Sequence, residues 1–119
     1  MKRGFRLTRS TDFKRVRRFG KSYAHPLVVL VAQPSQDPFT RVAVVAGASV
    51  GGAVVRNLAK RRLRACLDEV YPNCLPGWDL ILIARKPIAQ ADFLHIRAAV
   101  FGVFRTAGLL QVNKQDSCD

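Results

Sequence analysis

Apolar positions recur at two different periods along this chain, and the switches between them mark its elements. Ser10 or Thr11, either a good N-cap, opens a short helix through Asp12-Phe13-Lys14-Arg15-Val16 that ends at Gly20. Two aliphatic β-type runs follow, Leu27–Ala32 and Arg41–Val45. The turn-rich Pro34-Ser35-Gln36-Asp37-Pro38 between them reads as a hairpin-type connection. Gly51-Gly52 then punctuates the chain before a helical period from about Ala53 to Val70, which Pro72 stops. Pro76-Gly77 marks a loop, and Trp78–Ala84 is a strongly apolar strand closed by Arg85-Lys86-Pro87. A last helix from about Ala91 places Phe93, Arg97, Val100, Phe104 and Ala107 near one face, with Ile96 and Val103 beside it. Such a stripe is core far more often than ligand site. From Gln111 onward the chain is polar, the composition of a mobile tail.

The order is α-β-β-α-β-α, without internal repeats. It predicts an α+β fold, a two-layer sandwich in which helices pack on a small mixed sheet. Residues 1–110 form one domain and 111–119 a disordered tail. The helix over 53–70 is a crossover between strands, so both neighbours fix its orientation, and a rigid platform loses less entropy on binding.

Charge changes the picture most within that crossover helix. Arg56-Asn57-Leu58-Ala59-Lys60-Arg61-Arg62-Leu63-Arg64 holds five cations and no acid. At about 100° per residue, Arg56, Lys60 and Arg64 stack at i, i+4 and i+8, with Asn57 and Arg61 on their flank, and the five span roughly 140°. Val55, Ala59, Leu63, Cys66 and Val70 fall on the other side and are expected to face the core. A solvated face is the plain alternative. Like charges at i, i+4 repel, however, and a merely soluble face interleaves Glu, whereas no acid follows here until Asp68. Uncompensated repulsion of this kind points to a counter-charge supplied by a partner.

The whole chain leans the same way. Its 119 residues carry 20 Lys or Arg against 8 acids, a formal charge of +12, and residues 1–21 alone hold nine cations against Asp12. That is the electrostatic footprint of a nucleic-acid binder, with an anionic membrane surface as the competing partner. With 49% hydrophobic residues the chain is no disordered basic tail. No apolar run approaches the roughly 18–20 residues of a spanning helix. The basic N-terminus lacks the apolar stretch of a signal peptide, and the expected location is the cytoplasm. Cys66, Cys74 and Cys118 are odd in number and lack zinc-site spacing, which fits reduced thiols.

Chemistry by the chain itself finds little material. Metal-dependent nucleases gather several carboxylates. The eight acids here are Asp12, Asp37, Asp68, Glu69, Asp79, Asp92, Asp116 and Asp119, and only Asp68-Glu69 are adjacent, projecting about 100° apart on a helix. A metal-free nuclease needs two placed histidines, and the two present are His25, before a strand, and His95, on the last helix. No catalytic residue and no protein-held metal is assigned.

From Arg6 to about Leu110 the chain resembles the protein component of bacterial ribonuclease P. The resemblance is carried by Arg6-Leu7, Asp12-Phe13-x-x-Val16 and Gly20, then Arg41-Val42 and Val50-Gly51-Gly52-Ala53-Val54-Val55-Arg56-Asn57. It continues with Lys60-Arg61-x-x-Arg64 and Asp79-Leu80-Ile81-Leu82-Ile83-Ala84-Arg85-Lys86-Pro87. The block from Gly51 to Arg64 is the specific one. The resemblance implies a fold of the type found in the second domain of a small-subunit ribosomal protein, with a left-handed β-α-β crossover, against the usual handedness. It implies a non-catalytic protein subunit of a ribonucleoprotein endonuclease, whose catalytic RNA, with Mg²⁺ bound mainly by that RNA, removes the 5′ leader from precursor tRNA. No organic cofactor, membrane or obligate protein partner is implied. By the same resemblance Arg56, Asn57, Lys60, Arg61, Arg62 and Arg64 would meet the RNA subunit. Phe13, Lys14, Arg17 and Arg6 would meet the leader, Phe13 having a core aromatic as its plain alternative. Three positions depart from the family pattern. Leu58 stands where Arg is usual, with Arg62 one turn on as partial compensation. Gly47-Ala48-Ser49 stands for Ser-Lys-Lys, and Arg17 for an aromatic. A small basic ribosomal or ribosome-assembly protein has similar composition and architecture, and the Gly51–Arg64 block is what separates the two.

Overall fold

The two longest apolar runs become the centre of one sheet. In a computed structural model, which describes Arg6, Leu7 and residues 9–111, β1 (Lys21–Ala24), β2 (Val28–Pro34), β3 (Arg41–Ala46) and β4 (Trp78–Ala84) lie in the order β1-β2-β4-β3. The pairs β1–β2 and β2–β4 are antiparallel, and β3–β4 is parallel. β2 and β4 sit inside and are aliphatic almost throughout, as strands covered on both faces must be. The Pro34–Pro38 link is therefore not a hairpin. It carries the chain past the place that β4 later fills, and β2 and β3 never pair. The hairpin is instead β1–β2, closed over His25-Pro26-Leu27, where the His25 N–H donates to the Val28 carbonyl at 2.8 Å. β1 was not legible as a strand. It is four residues long, mostly exposed, and Lys-Ser-Tyr-Ala carries no apolar alternation.

Register fixes what each face of the sheet presents. On one face Ala32–Leu80–Val42, Leu30–Leu82–Val44 and Val28–Ala84–Ala46 align in cross-strand rows. α2 (Ala53–Val70) and α3 (Phe93–Thr106) bury this face with Leu63, Cys66, Leu67, Val70, Ile96, Val100 and Phe104. Three predicted core positions move. Val55 is 37% exposed because the first turn of α2 overhangs the sheet, and Leu67 takes its place inside. On α3, Phe93 and Arg97 turn outward and Ala99 turns in, since the helix starts at Phe93 with Asp92 as its N-cap. Asp92 accepts the His95 backbone N–H at 2.9 Å, which holds its carboxyl below the usual range. Past α3, Gln111 donates to the Asn73 carbonyl at 2.7 Å, so the expected loose tail does not include it. Residues 112–119, with Cys118, lie outside the described residues.

The opposite face carries only α1 (Ser10–Phe19). Its rows are Gln33–Asp79–Arg41, then Val31–Ile81–Ala43, then Val29–Ile83–Val45. Val16 packs on the middle row with Leu7 and Phe13. The polar row holds the helix by charge. Asp79 is fully buried and accepts from Arg41 Nε and Nη2, each at 3.0 Å. Arg15 bonds both Asp79 and Gln33, while Asp12 lies 3.5 Å from Arg15 and from Arg41. The hydrogen bonds that Arg41 donates to Asp79 are the first of the causes that raise the Arg41 pKa. α1 begins one residue from the expected cap, at Arg9, whose side chain makes no capping bond. It ends at Gly20, where a Cβ would stand 2.5 Å from the Val16 carbonyl oxygen and 2.7 Å from a Val31 methyl. Only glycine lets the helix end this close to β2. One 10-residue helix cannot cover three rows, and Val29, Val45 and Ile83 stay half-buried.

Cys66 and Cys74 are buried, and that burial pushes both thiols up to about 11. The folded chain then binds protons that the unfolded chain has released between about pH 9 and 11, so stability falls as pH rises through this window. We expect the unfolding midpoint to hold steady up to about pH 9 and to drop above it, and serine at both positions to flatten the drop. A slope unchanged in the double variant would assign the drop to lysines and tyrosines instead.

Candidate nucleic-acid interface

α2 starts where the backbone requires glycine. Gly51 has φ 152°, and a Cβ there would lie 3.0 Å from Val55. Neither an acid in the first turn nor a side-chain cap offsets the positive end of the helix dipole. The cations therefore extend a field that the backbone begins.

Helical spacing alone sets them opposite the core, but the sheet contacts rotate that picture. The buried stripe of α2 runs through Ala59, Leu63, Cys66, Leu67 and Val70. Arg56, Lys60 and Arg64 stand beside it, each half-buried, on the shoulder where the helix meets the β3 edge. Asn57 and Arg61 are exposed next to them. Arg62 is not part of this group. It lies on the other flank, and its Nη1 donates to the Ala91 carbonyl at 3.4 Å. Among the described residues the ion pairs use Arg15, Arg41, Arg97 and His95, and none uses a cation of α2. Arg56 Nε is buried and has no hydrogen-bond partner among the described residues. Buried donors left unpaired are rare in folded proteins.

The second predicted group meets the first at the sheet edge. Before α1, Arg6 and Leu7 run alongside β3, parallel to it, with the Leu7 N–H donated to the Val42 carbonyl at 3.1 Å. A cavity of about 280 Å³ opens there, lined by Arg6, Leu7, Phe13, Val42, Ala43, Val44 and Arg64. Arg6 and Phe13 thus share a wall with Arg64, although 58 and 51 residues separate them from it in sequence. Phe13 packs against the α1-face core and also lines the cavity. Lys14 and Arg17 lie exposed on α1 beyond it. Sequence reasoning missed the half-covered row Val29–Ile83–Val45. Continuous aliphatic strands give no sign of which face is left open, and only the length of α1 shows that one face runs short of cover. Phe19, 65% exposed at the end of α1, with the Arg18 guanidinium 5.3 Å from its ring centre, was also missed.

Residues 1–108 match the sequence profile of the ribonuclease P family. The chain belongs to the ribonuclease P protein family. Similar members include the ribonuclease P protein component of Roseiflexus sp. (strain RS-1), 36% identical over 100% of this chain and 98% of that protein. That of Herpetosiphon aurantiacus is 38% identical over 98% and 95%. The RNase P protein of Staphylococcus aureus superposes with a TM-score of 0.81 at 26% identity, over 90% of this chain and 98% of the other. That of Thermotoga maritima gives 0.76 at 25%, over 84% and 96%. As a member of this family, the chain is a subunit of an endoribonuclease complex, and its partner is that complex's RNA subunit. The two histidines sit in separate local structures: His25 Nδ1 accepts the Leu27 N–H at 3.0 Å, and His95 Nδ1 lies 2.6 Å from Asp92. Among the described residues no three metal-ligating side chains converge, and no helix is long and apolar enough to cross a membrane.

Proposed function

We propose that this subunit grips the catalytic RNA with the α2 shoulder and holds the 5′ leader of precursor tRNA in the cleft under α1, so that the RNA removes the leader. The observation that supports this most is the shared cavity, where Arg6 and Phe13 meet Arg64 at the β3 edge. A strand entering it passes from the shoulder of Arg56, Lys60 and Arg64 onto Phe13 and the half-open row Val29–Ile83–Val45. Arg56, Asn57, Lys60, Arg61 and Arg64 bind the RNA subunit, Arg62 supports them from the α3 side, and Arg6, Lys14 and Arg17 track leader phosphates. Catalysis belongs to the RNA, and the Mg²⁺ that the RNA holds supplies the activation of water and leaving group. Among the described residues no ligand set for that ion converges, so they act by neutralising phosphates and by positioning. Cytoplasm, where precursor tRNA is made, is the corresponding location.

Neutralising phosphates with side chains lowers the need for diffusible cations, since both counter the same repulsion. The test is cleavage of precursor tRNA at low Mg²⁺ by protein alone, RNA alone and both together. Cleavage only with both supports the reading. Cleavage by the protein alone overturns the assignment of chemistry to the RNA, and no effect of the protein on a matched RNA favours a ribosomal or assembly role.

Base stacking on an aromatic contributes about 1–3 kcal/mol and tolerates any base. Phe13→Ala is therefore expected to weaken binding of leader-bearing tRNA by roughly tenfold and to leave mature tRNA unaffected. Equal losses for both substrates would return Phe13 to a purely structural role.

A further inference from the structure

The solvent side of α2 carries an apolar line beside its cations. Val54 is 82% exposed and Leu58 42%, and Ala65 continues the same line. At about 100° per residue these three lie within roughly 40° of one another, a ridge of about 16 Å along the helix. Arg61 and Arg62 flank it at about 40° and 60° to either side. Single exposed apolar side chains are ordinary on protein surfaces. A ridge of three with a cation on each side, on the most basic helix of a +12 chain, has a shape that needs a matching partner. A second copy of this chain would bring the same cations against each other. A polyanion that also presents apolar surface between two rows of phosphates would not.

We propose that the Val54–Leu58–Ala65 ridge seats in the shallow minor groove of a double-helical segment of the RNA subunit. Riboses lie against Val54 and Leu58, and Arg61 and Arg62 reach the phosphate rows on either side. A-form RNA has a wide, shallow minor groove bordered by its two backbones and lined by sugars, which a helix crest can approach. Leucine at position 58 then serves where a longer cation would hold the helix away from the sugars. This rests on the RNA-subunit binding proposed above and adds the groove and the kind of contact.

The test titrates the full-length protein against its RNA subunit at several KCl concentrations, with wild type, Leu58→Gln and Leu58→Arg. Half-exposure of Leu58 predicts folded variants, and equal unfolding midpoints check that. Leu58→Gln is expected to weaken binding about tenfold at every salt concentration, with the slope of log K against log[salt] unchanged, because no phosphate contact is lost. Leu58→Arg is expected to steepen that slope by roughly 0.7–0.9 if it gains a phosphate, while binding more weakly than wild type at high salt. Hydroxyl-radical cleavage of the RNA is expected to show a sugar footprint on one duplex segment that Leu58→Gln loses. Wild-type affinity and footprint in Leu58→Gln would overturn the groove contact and leave RNA binding intact. Wild type that fails to bind the RNA would overturn both. A concentration-dependent dimer of free wild type, abolished by Leu58→Gln, would assign the ridge to a second copy instead.

Discussion

Asp79→Ala is expected to lower the stability of the folded chain by about 3–5 kcal/mol, the cost of leaving buried charge without its partner. The carboxylate is fully buried, accepts two bonds from Arg41 and one from Arg15, and is the only member of its row that both arginines share. Its removal takes the one fully buried acceptor from both guanidiniums, leaves Arg41 with Asp37 and Asp12 and Arg15 with Gln33 and Asp12 nearer the surface, and loosens the charged anchor of α1. The unfolding midpoint should fall by roughly 10–20 °C. Asp79→Asn should fall less, since the amide oxygen still accepts from Arg41 while the charge is gone. A drop of only about 2 °C for the alanine variant would mean that the row behaves as a solvated surface pair. Arg15→Ala separates the two roles of the row. Arg41 still pairs with Asp79 in this variant, so the fold should persist while α1, with Phe13, loses its position.

The second large effect is expected on binding. Joint substitution of Arg56, Lys60 and Arg64 by alanine should cut affinity for the RNA subunit by roughly a hundredfold or more, taking about 1.5–3 kcal/mol for each charged contact and allowing for overlap. The slope of log K against log[salt] should fall in magnitude by about 2–3, near 0.7–0.9 per lost phosphate contact. Stability should hold or rise slightly, because the three repel one another at i, i+4 spacing. That opposition of signs is the informative part: a face kept for solubility would lose neither affinity nor salt dependence. Unchanged affinity with an unchanged slope would move the RNA interface elsewhere on the molecule.

Much of this was readable from local chemistry. The boundaries of α2 follow from Gly51-Gly52 and Pro72, and β4 from an aliphatic run ended by Arg85-Lys86-Pro87. What escaped depends on partners distant in sequence. Pro34–Pro38 has the composition of a hairpin turn, and nothing local says that a strand 40 residues later will part its neighbours. Helical spacing gave the arc of Arg56, Lys60 and Arg64 correctly but set it opposite the core, because the direction of the core is decided by which residues the sheet contacts. Phe93 opens α3 exposed and Arg97 turns to Glu69 on α2, so neither follows the inward stripe that the helical period predicts. Asp79 looked like one acid in eight. Its importance comes from lying opposite Gln33 and Arg41 in a register that only pairing creates. The cavity uniting Arg6, Phe13 and Arg64 is of the same kind, since those residues stand on three separate segments and meet at one edge.

The strand order has a consequence for how this chain comes into being. β4 is the last of the four strands in sequence and an interior one in space, pairing with both β2 and β3. Until Ala84 has left the ribosome, an emerging chain has the β1–β2 hairpin and isolated helices but no sheet to bury them. Its most cationic stretches, residues 1–21 and 56–64, are by then already made. For that interval an unfolded polycation stands beside an abundance of RNA, and long-range closure of this kind is slow compared with local folding. Completion of the fold, rather than synthesis of the basic segments, is what turns indiscriminate attraction into a shaped surface.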